Sequence, residues 1–143
     1  MSSYWFLTTR SGIIALLSFP YLVIHPGRML QTAPVILAAN HQSYLDPPLA
    51  GIACKRAIYF LARKSLLQLP VLGWLLPKLN VIPVDQEGTD RSALKALIRI
   101  LKRGDGTLVF PEGGRTLDGN LQPALPGLGL VIAQTFAPAV PSR

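Results

Sequence analysis

An apolar run from Val35 to Ala39 is followed at once by a polar block, Asn40 to Pro47, and this boundary constrains the fold more than any other stretch. A short run that is apolar at every position is typical of a strand buried on both faces of a parallel sheet. His41 would then lie just beyond the carboxyl end of that strand, where open α/β sheets place their reactive groups. The boundary therefore predicts an α/β fold with a site at this edge of the sheet.

The spacing of His41 and Asp46 predicts a turn between them. Residues five apart on a helix point about 140° away from each other, so the two side chains could not meet there. Asp46-Pro47 is typical of a helix start, with Asp as the N-cap and Pro at the first helical position. From that position the carboxylate can reach back to the His41 ring and fix its tautomer. An ordinary polar contact beside a helix cap would use the same residues, so the pair alone does not establish catalysis.

A second polar block, Phe110 to Thr116, follows another predicted strand, Thr107 to Phe110. Gly113 and Gly114 allow backbone amides to approach a ligand closely. Arg115 offers a planar guanidinium that can bind a phosphate through two parallel hydrogen bonds. The second block is therefore a candidate anion site.

The blocks NHQSYLDP and FPEGGRT, which begin at Asn40 and Phe110, resemble the two leading motifs of the glycerolipid acyltransferases. The best-known member of that family makes phosphatidic acid from 1-acylglycerol 3-phosphate. The first block matches the family's pattern of His, any four residues and Asp. The second differs from the usual FPEGTRS at Gly114 and Thr116, and Gln86 stands where the family has a phosphate-binding arginine.

This resemblance implies an O-acyltransferase that moves a fatty acyl group from acyl-coenzyme A or acyl-acyl-carrier protein to the free hydroxyl of 1-acylglycerol 3-phosphate. His41 would be the general base and Asp46 the carboxylate that orients it. The acceptor would bind at the second block, through Glu112, Gly113, Gly114, Arg115 and Thr116. Glu112 could accept a hydrogen bond from an acceptor hydroxyl, orient Arg115, or have a structural role only. The scheme requires neither a metal nor a further cofactor.

Other functions stay open at this point. The acceptor could be another lysolipid or glycerol 3-phosphate, and the chain could be a non-catalytic membrane lipid-binding relative. Gln86 favours the non-catalytic alternative, whereas the intact His41-Asp46 pair disfavours it. An α/β hydrolase is disfavoured because the sequence has no G-x-S-x-G nucleophile motif.

Composition indicates which partners the chain has. Half of the residues are hydrophobic, only 15% are charged, and the formal net charge is +7. That combination fits an anionic membrane and phosphorylated substrates better than nucleic acid, because the sequence lacks zinc-finger spacing, an aromatic RNA-binding motif and a basic tail. Cys54 is the only cysteine, which excludes an intrachain disulfide and indicates a reducing compartment. We expect Cys54 to be a small buried residue in a helix rather than a nucleophile.

The first residues suggest membrane attachment. Tyr4 to Ile24 is strongly apolar, but its longest apolar part, Ile13 to Ile24, is shorter than the ~20 residues that span a bilayer. We predict that residues 1–26 form a helical segment lying in or partly entering one leaflet, at the cytoplasmic face, with a core-packing helix as the alternative. Residues 27–143 would form the acyltransferase domain. Because family members continue beyond a block similar to Val140-Pro141, we expect a C-terminally truncated member.

The remaining pattern predicts a mixed, largely parallel sheet flanked by helices. The predicted strands are Ala57 to Ala62, Asn80 to Asp85 and Ala137 to Pro141, with the second at the sheet edge because Pro83 cannot donate to a ladder. The predicted helices are Pro47 to Lys55, Thr89 or Asp90 to Arg103, and Gly127 to Thr135. Trp74, in an apolar stretch between two strands, could line an acyl-chain groove, touch lipid or pack in the core.

Overall fold

The computed structural model describes residues 32–43, 46–54, 56–85, 91–116 and 118–142. Over these ranges one sheet is formed by β1 Val35–Ala39, β2 Ile58–Arg63, β3 Val81–Val84, β4 Gly106–Val109 and β5 Ala139–Ser142. The spatial order is β3-β2-β4-β1-β5, and every pairing is parallel. The α/β class is confirmed, whereas the expected mixed sheet is wholly parallel over the described strands. The carboxyl ends of all five strands therefore lie along one edge of the sheet, its carboxyl edge, which is distinct from the outermost strands β3 and β5.

The strand predictions agree with the structure to within two residues. β1 has the predicted bounds, and the other four strands shift by one or two residues at their ends. β3 lies at the sheet edge, as Pro83 predicts. The predicted segment 1–26 and Gln86 lie outside the described residues.

Four α-helices are described: α1 Asp46–Ala53, α2 Pro70–Leu75, α3 Arg91–Lys102 and α4 Gly127–Thr135. Two 3-10 helices, Lys64–Gln68 and Leu76–Leu79, flank α2. The bounds of α4 are as predicted, and α3 stops before Gly104, whose φ of 87° is the left-handed conformation that ends helices. The residues predicted to cap α3 lie outside the described part of the chain.

The core lies on both faces of the sheet. Alternate residues of a strand point to opposite faces. Val35 and Leu37 accordingly join one buried cluster with Ile58, Phe60, Leu108 and Cys54. Ile36 joins the other, with Leu97 and Leu101 of α3, Val131 of α4 and Ala137. Burial of both faces explains why the β1 sequence is apolar throughout.

One smaller expectation, for Cys54, needs correction, and one of the alternatives left open for Trp74 is removed. Cys54 is buried as expected, but it follows α1 instead of lying within it. Trp74 does not pack in the core, since 61% of its surface is exposed. None of the helices in the described ranges combines the length and the apolar character that a membrane crossing requires.

The amino edge of the sheet is held by Arg56. Its guanidinium donates to the carbonyl of Ala33, just before β1, at 2.6 Å. It also donates to the carbonyl of Gly104, just before β4, at 2.8 Å. Since β1 and β4 are the strands that end at the two polar blocks, Arg56 fixes the far ends of the strands that carry the site.

Candidate active site

His41 and Asp46 meet at the carboxyl end of β1. Asp46 Oδ2 lies 2.9 Å from His41 Nδ1 and also accepts from the backbone amides of Gln42 and Ser43, each at 2.8 Å. An ionised carboxylate only accepts hydrogen bonds, so Nδ1 carries the proton in this arrangement and Nε2 is the basic nitrogen. The predicted approach of carboxylate and ring is confirmed. The predicted N-cap is wrong in detail, because α1 includes Asp46 and the carboxylate bonds to amides that precede it.

Phe110 packs against the His41 ring. The ring centroids are 4.1 Å apart and the planes differ by 17°, a stacked arrangement. The contact exists because β4 pairs with β1, so residues that follow the two strands are neighbours in space. Sequence reasoning placed Phe110 in the acceptor-binding block but did not predict its contact with His41. The available signal was that Phe110 directly follows its strand, as the block that carries His41 directly follows β1.

Thr116 joins the two blocks through the backbone. Its amide donates to the carbonyl of His41 at 2.8 Å. Its side chain is 7% exposed, and its hydroxyl has no hydrogen-bond partner among the described residues. Thr116 therefore holds the backbone of the candidate base, a role that the sequence did not indicate.

A tight turn at Gly113 shapes the second block. Gly113 has a φ of 72°, and its amide donates to the carbonyl of Phe110 at 3.0 Å. A Cβ added at Gly113 would lie 2.5 Å from Cδ1 of Leu125. Glycine is favoured at this position because the backbone is left-handed, and any side chain here would also require the exposed Leu125 side chain to move.

A later segment, residues 122–125, packs against this turn and supports it through two hydrogen bonds. The amide of Leu125 donates to the carbonyl of Pro111 at 2.8 Å. The amide of Gln122 donates to Glu112 Oε2 at 3.1 Å. Of the three roles considered for Glu112, this contact supports the structural one. Gly114 has open space where a Cβ would stand, and Arg115 is exposed beyond it.

The five predicted residues of the second block thus fall into two groups. One group shapes the turn or ties it to the first block: Glu112, Gly113 and Thr116. The other group lies at the surface of the turn: Gly114 and Arg115. A basic ring nitrogen and a cationic turn lie at the ends of two adjacent strands. This arrangement can take a proton from a hydroxyl while an anionic group of the same molecule is held nearby.

Comparisons with known proteins find similarity to acyltransferases. The sequence profile of the acyltransferase family matches residues 22–143. A chloroplastic 1-acyl-sn-glycerol-3-phosphate acyltransferase of Brassica napus is 30% identical over 110 residues, which are 76% of this chain and 32% of that protein. A lyso-ornithine lipid O-acyltransferase of Pseudomonas aeruginosa is 33% identical over 84 residues, 58% of this chain and 32% of that protein.

The fold is also similar to a solved structure. The crystal structure of the 1-acyl-sn-glycerophosphate acyltransferase of Thermotoga maritima matches with a TM-score of 0.72 at 27% identity. The match covers 94% of this chain and 52% of that protein. The chain therefore spans about a third to a half of the length of these relatives.

Proposed function

This chain belongs to the acyltransferase family, and from that membership we propose that it transfers a fatty acyl group from an acyl thioester to the free hydroxyl of 1-acylglycerol 3-phosphate, forming phosphatidic acid. The observation that carries the proposal is the 2.9 Å contact of His41 with Asp46, joined by Thr116 to the turn that presents Arg115. The donor would be acyl-coenzyme A or acyl-acyl-carrier protein.

In the proposed reaction His41 is the general base. Its Nε2 takes the proton of the acceptor hydroxyl while the hydroxyl oxygen attacks the thioester carbonyl carbon. The tetrahedral intermediate then collapses, the carbon-sulfur bond breaks, and the protonated imidazole returns the proton to the leaving thiolate. Asp46 keeps Nδ1 protonated throughout and stabilises the imidazolium. Direct attack by the acceptor requires no acyl-enzyme.

The turn would hold the acceptor's phosphate. Arg115 is exposed at its surface, and a guanidinium binds phosphate through two parallel hydrogen bonds. Gly114 leaves open space where a side chain would stand, so the backbone can approach the phosphate oxygens. Glu112 and Thr116 support this binding by shaping the turn and by fixing His41 relative to it.

A lyso-ornithine lipid is the second candidate acceptor. The Pseudomonas relative is named for that acceptor, and the family's phosphate-binding arginine is replaced here by Gln86. A glutamine can donate a hydrogen bond but supplies no positive charge. Both observations favour an acceptor that depends less on a phosphate.

The test is an acceptor panel with a labelled acyl thioester. The wild type and Arg115→Ala are incubated with 1-acylglycerol 3-phosphate, glycerol 3-phosphate or lyso-ornithine lipid, and the labelled product is identified. We expect phosphatidic acid from the wild type. Arg115→Ala should raise the acceptor KM by about tenfold or more, since a hydrogen bond to a charged group contributes about 1.5–3 kcal/mol.

Arg103→Ala is the matched control, because it removes an exposed arginine whose ion pair with Asp105 lies before β4, at the opposite edge of the sheet. Arg103→Ala should leave the KM for the acceptor and the KM for the acyl thioester unchanged. Preference for lyso-ornithine lipid would replace the first acceptor by the second. Transfer to none of the acceptors would contradict the proposal.

We also propose that the chain works at the cytoplasmic face of a membrane, attached by residues 4–24, which lie outside the described residues. The proposed acceptor and product are both lipids, and the net charge of +7 fits an anionic surface. Salt screens charges but leaves apolar burial intact, so attachment should survive high salt. Deleting residues 1–24 should make attachment weaker and salt-sensitive. Wild type that remains in solution without lipid or detergent would contradict this.

A further inference from the structure

The connection between β2 and β3 exposes three large apolar side chains. Leu69 is 49% exposed, Val71 72% and Trp74 61%. Val71 and Trp74 lie three residues apart on α2 and so share a helix face, and Leu69 directly precedes the helix. Such a cluster of exposed apolar groups on one short connection is typical of an interaction surface.

The charges of this connection are all of one sign. Residues 63–79 contain Arg63, Lys64 and Lys78 and no acidic residue. Lys78 Nζ lies 3.3 Å from the centroid of the Trp74 ring, so a positive charge is held directly on the apolar cluster. Lys64 forms an exposed ion pair with Asp85, beyond the carboxyl end of β3. Arg63 and Lys78 therefore give the surface its net positive charge.

The connection starts at the edge of the sheet that carries the candidate active site. β2 ends at Arg63, and its carboxyl end lies beside that of β4, which precedes Phe110 and the candidate anion site. Because β3 runs parallel to β2, the connection begins at the edge that presents His41 and returns to the opposite edge, where β3 starts.

We infer that residues 63–79 form a surface that docks on an anionic lipid bilayer. Leu69, Val71 and Trp74 enter the boundary between head groups and acyl chains, where tryptophan is enriched. Arg63 and Lys78 contact the anionic head groups, and each basic residue near such a surface adds to the affinity. A second copy of the chain fits this surface poorly, because self-pairing would bring like charges together. The surface binds lipid whether or not the chain transfers an acyl group.

Tryptophan fluorescence tests the inference directly. The chain has two tryptophans, Trp5 and Trp74, so the variant Trp5→Phe reports on Trp74 alone. In vesicles of phosphatidylcholine and phosphatidylglycerol, we expect a blue shift of its emission and quenching by lipids brominated near the head group. Bound protein whose Trp74 is not quenched would overturn the inference, because the surface would then face water or be covered by protein. A shift that depends on protein concentration without vesicles would overturn it in favour of a second copy.

Substitutions test which residues bind. Val71→Asp should weaken vesicle binding by about tenfold or more, since burying a valine is worth about 1.5 kcal/mol or more. Phe136→Asp is the control, because Phe136 is 89% exposed and lies between α4 and β5, outside the surface. Lys78→Gln should weaken binding about fivefold on anionic vesicles only. Circular dichroism checks folding, and equal losses for Val71→Asp and Phe136→Asp would contradict the assignment.

Discussion

At the scale of single residues, the structure holds His41 from three directions. Asp46 bonds to Nδ1, the Phe110 ring stacks on the imidazole, and the Thr116 amide bonds to the backbone carbonyl. A base held in this way loses little freedom when the acceptor binds, and correct positioning alone can lower a barrier by about 7 kcal/mol. The proposed base is therefore organised before the substrates arrive.

Asp46→Asn should lower kcat by at least about 10²-fold. An amide in place of the carboxylate can donate to Nδ1 and so favour the wrong tautomer, an effect that reaches about 10⁴ in the serine-protease triad. Steady-state rates with saturating acceptor and donor measure it, and thermal unfolding shows whether the variant is folded. Asp105→Asn, which alters a carboxylate before β4 at the opposite edge, is the control. A folded Asp46→Asn variant with the wild-type kcat would contradict the role of Asp46.

Cys54 should be chemically inert in the folded chain. Burial raises the pKa of its thiol to about 11, and nearby Arg56 offsets this only in part. The thiolate is the reactive form, and a pKa raised from 9.0 to about 11 makes it about a hundredfold scarcer at neutral pH. Alkylation by iodoacetamide, followed by mass spectrometry, should be slow in the native chain, faster as the pH approaches 11, and fast after unfolding. Rapid alkylation of the native chain at pH 7 would contradict this.

The sequence predicted the contact of His41 with Asp46, in its own block, but not its contacts with residues of the second block. His41 and Asp46 are close along the chain, so the turn between them could be inferred. The contacts of His41 with Phe110 and Thr116 depend on β4 lying beside β1, and no local pattern specifies strand order. Side chains joined by tertiary structure were therefore missed.

At the scale of elements, the turn at Gly113 positions the proposed phosphate site. Gly113→Ala should destabilise the chain by about 1–2 kcal/mol because of its left-handed backbone, and more if Leu125 cannot move. The acceptor KM should rise as well, because Arg115 follows the distorted turn. Denaturant unfolding and acceptor KM are the measurements.

Gly114→Ala serves as the control for folding, since nothing lies within 4 Å of an added Cβ there. Adding Leu125→Ala to Gly113→Ala removes the contact but not the backbone strain, so stability should recover only in part. Equal stability of Gly113→Ala and Gly114→Ala would show that the turn does not require glycine.

Element bounds could be predicted where one pattern dominates. The apolar run of β1 and the helix α4 were predicted at their observed ends. The stretch around Trp74 was not, because hydropathy reports how apolar a segment is without reporting whether another element covers it. There the structure shows exposed side chains on short helices.

At the scale of the whole molecule, the parallel sheet explains why motifs far apart in sequence form one site. Five carboxyl ends share one edge, and the order β3-β2-β4-β1-β5 brings the ends of β1 and β4 together. The opposite edge carries the Arg56 contacts with Ala33 and Gly104. The candidate site and the Arg56 contacts thus lie at opposite ends of the same strands.

Arg56→Ala should therefore lower the free energy of unfolding by about 2 kcal/mol or more, since two partly buried hydrogen bonds from a charged group are lost. Arg103→Ala, which breaks an exposed ion pair at the same edge, should change it little. Denaturant titration of both variants measures the difference. Similar stabilities would show that Arg56 does not hold the amino edge.

The rate of phosphatidic acid formation by the wild type and by His41→Ala tests the proposed function most directly. Both proteins receive labelled acyl thioester and 1-acylglycerol 3-phosphate, and matched thermal unfolding shows that both are folded. We predict a loss of about 10²-fold or more in the variant, the usual contribution of a general base. Equal turnover by the two proteins would contradict the assignment of His41 and the reaction built on it.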